Sequence, residues 1–211
     1  MLIIKHRWHD LDQKADATSV DGAEIDIRIH NGELVVEHDP FKDGPKLADW
    51  LVRFKGRFLI ANVKEEGLAP HLTAMLACTS IEDYFILDET VPFIIKHCKA
   101  GNTNFGIRVS KWEPILGALN IMQQLNPSPS WIWLDTFDKQ IPADRQELLD
   151  LIAAGAKICL VSPELHPEHC ANEPTDAFMR SVNNVGIENF HAVCTKCPAF
   201  WSDHKEQLNI D

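Results

Sequence analysis

The chain has 211 residues, 45% of them apolar and 24% charged, the proportions of an ordinary globular protein with enough apolar mass for a sizeable core. A formal net charge of −11 excludes a generic electrostatic affinity for nucleic acid or for an anionic membrane surface, so an anionic ligand has to be met by local cations. No apolar stretch reaches about 18 residues, and the apolar opening at 1–6 is too short for a signal-peptide core, so the expectation is a cytoplasmic chain forming one domain over 1–211 without stable membrane association. Four of the six cysteines (Cys78, Cys98, Cys159, Cys194) stand in the apolar or helix-like contexts expected of buried thiols.

Short apolar runs alternate with helix-like stretches along the chain. The predicted strands are 2–6, 23–29 with a hairpin continuation at 33–37 across Asn31-Gly32, then 58–64, 84–88, 104–109, 131–137, 157–162 and 190–195. The predicted helices are 68–78, 92–99, 112–124, 144–154, 175–185 and 201–208. They place apolar residues three and four apart, as with Leu116, Leu119 and Met122. Pro92 suits a first helical position, where no backbone N–H is needed. Gly155 and Gly186 fall just past two helices, as C-terminal caps. About eight strand–helix units predict an α/β fold, a compact (β/α)8 TIM barrel near the lower size limit of that architecture. The stretch 10–20 lacks apolar periodicity, so the first helix is expected to be rudimentary or absent.

A barrel of this kind carries its active site at the carboxyl ends of its strands. Read there, the chain offers His6 and Arg7, Glu24 and Asp26, Lys64, Asp88, Arg108, Asp135, Glu164 and Thr195-Lys196. Glu24 and Asp26 are two apart and share one face of their strand; two carboxylates aimed into one cavity suit a hard cation such as Mg2+ or Ca2+. Read alone, the pair equally describes two solvated edge carboxylates. His6 and His38 both close apolar runs, and histidine titrates nearest neutrality, which suits proton transfer to and from a phosphodiester. Taken singly, each is also an ordinary structural histidine. Arg7, Lys64 and Arg108 can hold phosphoryl oxygens, or serve as plain ion-pair partners.

These residues also carry a resemblance. His6-Arg7, the run Gly22-Ala23-Glu24-Ile25-Asp26 and the run from Gly32 to Pro40 containing Glu37-His38-Asp39 resemble the amino-terminal signature of glycerophosphodiester phosphodiesterases. The later runs ending at Asp88, Arg108, Asp135 and Glu164 resemble a bacterial branch of that family, within the superfamily of phosphatidylinositol-phospholipase-C-like barrels and similar to members of polysaccharide clusters. The resemblance implies a metal-assisted phosphodiester hydrolase acting on a small phosphodiester. It gives His6 and His38 the acid–base positions, Glu24 and Asp26 metal-ligand positions, and Arg7 and Lys64 phosphate contacts. It also implies attack by a neighbouring substrate hydroxyl through a cyclic phosphodiester. Arg108 is added as a phosphate or substrate contact.

The sequence departs from the family pattern at four places. Asn62 stands where a third acidic ligand is usual, offering an uncharged carbonyl oxygen to Mg2+ or Ca2+. Trp8 replaces a glycine, the loop after Arg7 is short, and Lys196 stands where an acidic residue is common. Asn62 favours one alternative, a non-catalytic barrel that binds a phosphorylated sugar or polyol. A second alternative is a zinc site drawn from His166, His169, Cys170, Cys194 and Cys197.

Overall fold

The computed structural model describes residues 1–12, 20–166 and 173–208. Eight parallel strands form a nearly closed barrel: β1 (Leu2–Lys5), β2 (Gly22–His30), β4 (Phe58–Val63), β5 (Asp83–Leu87), β6 (Gly106–Val109), β7 (Trp131–Leu134), β8 (Lys157–Val161) and β9 (Ala192–Thr195). The ninth strand, β3 (Glu33–Val36), turns back antiparallel on the end of β2 through Asn31 and Gly32, both at positive φ, as the Asn-Gly signal requires. Among the described residues seven α-helices cover the outside: α1 (Leu47–Arg53), α2 (Ala69–Leu76), α3 (Val91–Lys99), α4 (Ile115–Gln124), α5 (Arg145–Ala153), α6 (Asp176–Val185) and α7 (Pro198–Leu208). Among the described residues no helix lies between β1 and β2. No helix among them is long and apolar enough to cross a membrane.

The predicted strands are all present, mostly trimmed by one to three residues. Several helix ends move for identifiable reasons. Pro114 caps α4 in an extended conformation, so that helix begins at Ile115 rather than at Trp112. Pro92 is the second residue of α3, after the cap Thr90 and the first helical residue Val91, rather than the first. Gly155 and Gly186 adopt positive φ at the ends of α5 and α6, where a side chain would be strained. A capping box between Asp144 and Glu147 starts α5. Helix α1 was not anticipated, although Leu47, Trp50, Leu51 and Phe54 carry the i, i+3, i+4, i+7 spacing and are all buried. Cys78 is a correction: it lies past the end of α2 and is exposed, whereas Cys98, Cys159 and Cys194 are buried.

Strand parity separates two walls. Ile25, Ile27, Leu59, Ala61, Val63 and Ile86 face outward under α1 to α3. Ile107, Val109, Ile132, Leu134, Ile158 and Leu160 do the same under α4 to α7. The alternate positions fill the barrel interior. Its floor is aromatic, with the ring centroids of Phe58 and Trp131, and of Phe85 and Trp131, each 5.1 Å apart. Two glycines make room for it. A Cβ on Gly22 would lie 2.3 Å from the Phe58 carbonyl oxygen, and one on Gly106 would lie 2.8 Å from the Phe85 ring. Small residues facing large ones is the usual way a narrow barrel is filled.

Seven of the eight joints between neighbouring barrel strands are hydrogen-bonded ladders. The eighth, between β5 and β6, is a single bridge at Ile86 and Phe105.

Candidate active site

The inward parity that gives aromatics at the floor gives ionisable side chains at the mouth. Along β2 and β4 the register pairs Gly22 with Phe58, Glu24 with Ile60 and Asp26 with Asn62. Partners in a parallel sheet present the same face, so Glu24, Asp26 and Asn62 all enter the interior. Glu24 and Asp26 are each 1% exposed and Asn62 7%. Burying two carboxylates costs several kcal/mol each unless they are compensated, on the order of what a small domain can spare. Their surroundings supply that compensation.

Glu24 accepts from the Arg7 backbone N–H at Oε2 (2.9 Å) and from the Asn62 amide at Oε1 (3.0 Å). Asn62 Oδ1 in turn accepts from the Lys64 ammonium (2.8 Å), which fixes the orientation of the amide: turned over, it would set NH2 against ammonium and oxygen against carboxylate. Lys64 Nζ also lies 3.1 Å from Asp26 Oδ1 and 3.4 Å from Asp88 Oδ2. Arg7 Nε stands 3.3 Å from Asp26 Oδ2, with Arg7 itself at φ 47, an uncommon conformation for a side chain of its size. His9 Nε2 lies 3.1 Å from Asp26 Oδ2 and 3.2 Å from the Asp26 backbone nitrogen. The Asp26 backbone N–H donates to this nitrogen, which also stands at ion-pair distance from the carboxylate.

The electrostatics follow. Burial, reinforced by the Asp26 charge, pushes the Glu24 carboxyl above its usual range. Burial pushes Asp26 the same way, but His9, Lys64 and Arg7 outweigh it and hold Asp26 well below the usual range. His6 is driven down to about 3 by burial and by the positive charges of Arg7 and Lys196. It is therefore a neutral imidazole at physiological pH, with Nε2 3.7 Å from Glu24 Oε2 and a buried Nδ1 that has no hydrogen-bond partner.

The other half of the rim is a second ion-pair network. Asp88, at φ 62, ends β5; Arg108 pairs with both Asp88 and Asp135, and Asp135 Oδ1 contacts His166 Nε2 at 2.8 Å. Those carboxylates outweigh burial and raise the Arg108 pKa. Glu164 accepts from Ser162, Thr195 and the Lys196 backbone N–H; Lys196 Nζ donates to the Glu164 and Leu165 carbonyls. His38 lies beyond β3 on a return that brings the Glu37 N–H to the Asp26 carbonyl (3.1 Å). Its Nδ1 contacts Asp39 Oδ1 at 2.9 Å, and Arg28 Nε donates to its carbonyl.

The structure thus brings together His6, Arg7, Glu24, Asp26, Asn62 and Lys64, joins Arg108 to them through Asp88, and holds His38 in its own contact with Asp39. Trp8 packs edge-on to Phe54, and its carbonyl accepts from Trp50 of α1. His9 is the functional-site neighbour that sequence reasoning missed. It sits in an aperiodic loop three residues after His6, and nothing in that stretch says which way the chain folds. Of the residues considered for zinc, Cys194 is packed in the barrel interior with its thiol pushed far up by burial, and His169 and Cys170 lie outside the described residues. Among the described residues no three His, Cys, Asp or Glu side chains gather as a metal shell.

Glu24 and Asp26 do match the chemistry of a hard divalent cation. Both Asp26 oxygens are buried without an aligned hydrogen bond, although cations stand at 3.1 to 3.3 Å. Such under-satisfied buried oxygens are the kind a metal ion satisfies. The third donor would be Asn62 Oδ1, once Lys64 releases it.

Fold and mouth together define a (β/α)8 barrel with a carboxylate–histidine–cation cluster at the carboxyl ends of its strands. The chain matches, over 100% of its own length and 99% of the other's, the crystal structure of a "putative glycerophosphoryl diester phosphodiesterase" from Agrobacterium tumefaciens str. C58, with a TM-score of 0.67 and 16% sequence identity. At that identity the likeness establishes the fold. No family model matches the chain, and no curated protein matches it.

Proposed function

We propose that this barrel is a phosphoric diester hydrolase of the glycerophosphodiester phosphodiesterase type. The observation that carries the reading is the convergence of a neutral His6, two buried carboxylates and two cationic side chains on one point of the barrel mouth, around Asp26.

In this reading Arg7 and Lys64 contact the non-bridging phosphoryl oxygens. His6, uncharged, accepts the proton of the attacking hydroxyl, whether from water or from a neighbouring alcohol of the substrate. His38, oriented by Asp39, returns a proton to the oxygen that leaves as the P–O bond breaks. His9 holds Asp26 in place. Mg2+ or Ca2+, held by Glu24, Asp26 and Asn62 Oδ1, would neutralise charge on the phosphoryl oxygens and acidify the attacking hydroxyl. Because Lys64 competes for Asn62 Oδ1 and Asp26 Oδ1, metal affinity is expected to be weak. Arg108, committed to two carboxylates, is assigned to shaping the rim and to secondary substrate contact.

A second reading rests on Asn62: with both ends of its amide engaged by Glu24 and Lys64, the mouth is neutralised by its own cations, as in a barrel that only binds a phosphorylated sugar or polyol. Phosphorus NMR on a panel of glycerophosphodiesters and an aryl diester separates the two. Wild type, His6→Ala and Asn62→Glu are run with Mg2+, with Ca2+ and with chelator. Metal-dependent turnover lost in His6→Ala supports the hydrolase. Turnover seen only in Asn62→Glu supports the binding barrel.

A further inference from the structure

The unladdered joint between β5 and β6 opens into a cavity of about 600 Å³ between α3 and α4. It begins at the rim, where Asp88 and Arg108 belong to both the cavity wall and the mouth network. Apart from Glu113, the rest of the wall between the two helices is mainly apolar, with Val91, Ile94, Ile107, Pro114, Ala118 and Ile121. A comparable cavity of about 570 Å³ between α1 and α2 shares no residue with the mouth.

Resting on the hydrolase reading above, we propose that the seam cavity binds the alcohol side of the phosphodiester, and that this alcohol is mainly apolar, an alkyl or aryl group bearing a hydroxyl. Three observations carry it. First, continuity: the Lys64 ammonium, assigned to the phosphate, lies 3.4 Å from Asp88 Oδ2, and Asp88 is also part of the cavity wall. Second, two polar groups in the wall lack partners. Glu89 is 6% exposed with a buried Oε2 that accepts nothing, and Thr90 Oγ1 is buried without a hydrogen bond. Unpaired buried oxygens are costly, and a hydroxyl on an otherwise apolar guest satisfies them. Burial also pushes the Glu89 carboxyl upward, consistent with a dry wall. Third, the wall is kept open. Gly117, in the middle of α4, pays the helix cost of glycine, and a Cβ there would meet no atom within 4 Å. Nothing in the packing of α4 stands beside it, so a longer side chain at 117 has room to occupy the cavity.

The test uses binding, so that it does not depend on turnover. Methyl phosphate and 2-hydroxyoctyl phosphate are titrated by calorimetry into wild type and Gly117→Leu, with Gly117→Ala as the control for helix propensity. Wild type should bind 2-hydroxyoctyl phosphate at least about tenfold more tightly than methyl phosphate, from the burial of its chain. Gly117→Leu should bring that ratio to about one while leaving methyl phosphate affinity in place, and Gly117→Ala should retain most of the preference. Equal affinities in wild type, or a preference that survives Gly117→Leu, overturn the cavity assignment and leave the phosphate site standing. Wild type that binds neither phosphate overturns the phosphate site and this proposal together.

Discussion

The floor and the mouth of the barrel are built from the same strands and the same inward-facing positions, yet they do opposite things. At the floor, Phe58, Phe85 and Trp131 interlock against glycines and stabilise the fold through burial and ring contacts. Two to six residues further along, the same faces carry Asp26, Asn62, Lys64, Arg108 and Asp135, which neutralise one another at a net cost to folding and place charge where a phosphate can be met. One barrel therefore separates stability from chemistry along its axis, with Ile4, Ile60 and Leu87 as the boundary between them.

Substitution at the two levels should part company. Phe85→Ala is expected to cost about 3–5 kcal/mol of unfolding free energy in urea denaturation, because the stacked ring leaves a cavity that Gly106 cannot fill. His6→Ala is expected to lower kcat by roughly 10²–10⁴-fold with melting temperature nearly unchanged; a large stability loss with intact turnover would make His6 a floor residue in disguise. Asn62→Glu should sharpen the contrast. With chelator it should melt lower, since a third buried carboxylate joins Glu24; with Ca2+ or Mg2+ it should show a larger metal-induced rise in melting temperature than wild type.

The pH dependence of stability, measured with chelator present, should carry the mark of the mouth. His6 titrates at about 3 in the folded chain against 6.5 when unfolded. Between those values the unfolded state binds the extra proton, so this contribution is complete above pH 6.5 and is lost as pH falls toward 3. The slope from this group approaches about 1.4 kcal/mol per pH unit and should vanish in His6→Asn. Smallest of all, Lys42→Ala removes an exposed ion pair to Asp39 and should leave the melting temperature unchanged.

Much of this was legible before any coordinates. The eight barrel strands follow from apolar runs, and the mouth follows from where ionisable residues interrupt or end them: Glu24, Asp26 and Arg108 within β2 and β6, His6 and Lys64 just past β1 and β4. What stayed hidden was relational. That the Asn62 amide is shared by Glu24 and Lys64 depends on the register of β2 against β4, which no single strand records. His9 approaches Asp26 through a loop with no periodicity. Helix α1 had its signal, but seven residues are too few for the pattern to stand out. The seam cavity is a property of two strands failing to pair, and both strands look ordinary in isolation.

That seam makes the barrel a ring with a clasp. Seven joints are zipped by neutral backbone hydrogen bonds; the eighth is buttoned once at Ile86 and Phe105 and pinned at the rim by opposite charges on Asp88 and Arg108. A ring closed this way can change its girth at one place without unzipping anywhere else. Amide hydrogen exchange should register this as faster exchange at Leu87 and Ile107 than at Ile25 and Ala61. Equal exchange at all four positions would instead make the single bridge as firm a joint as the ladders.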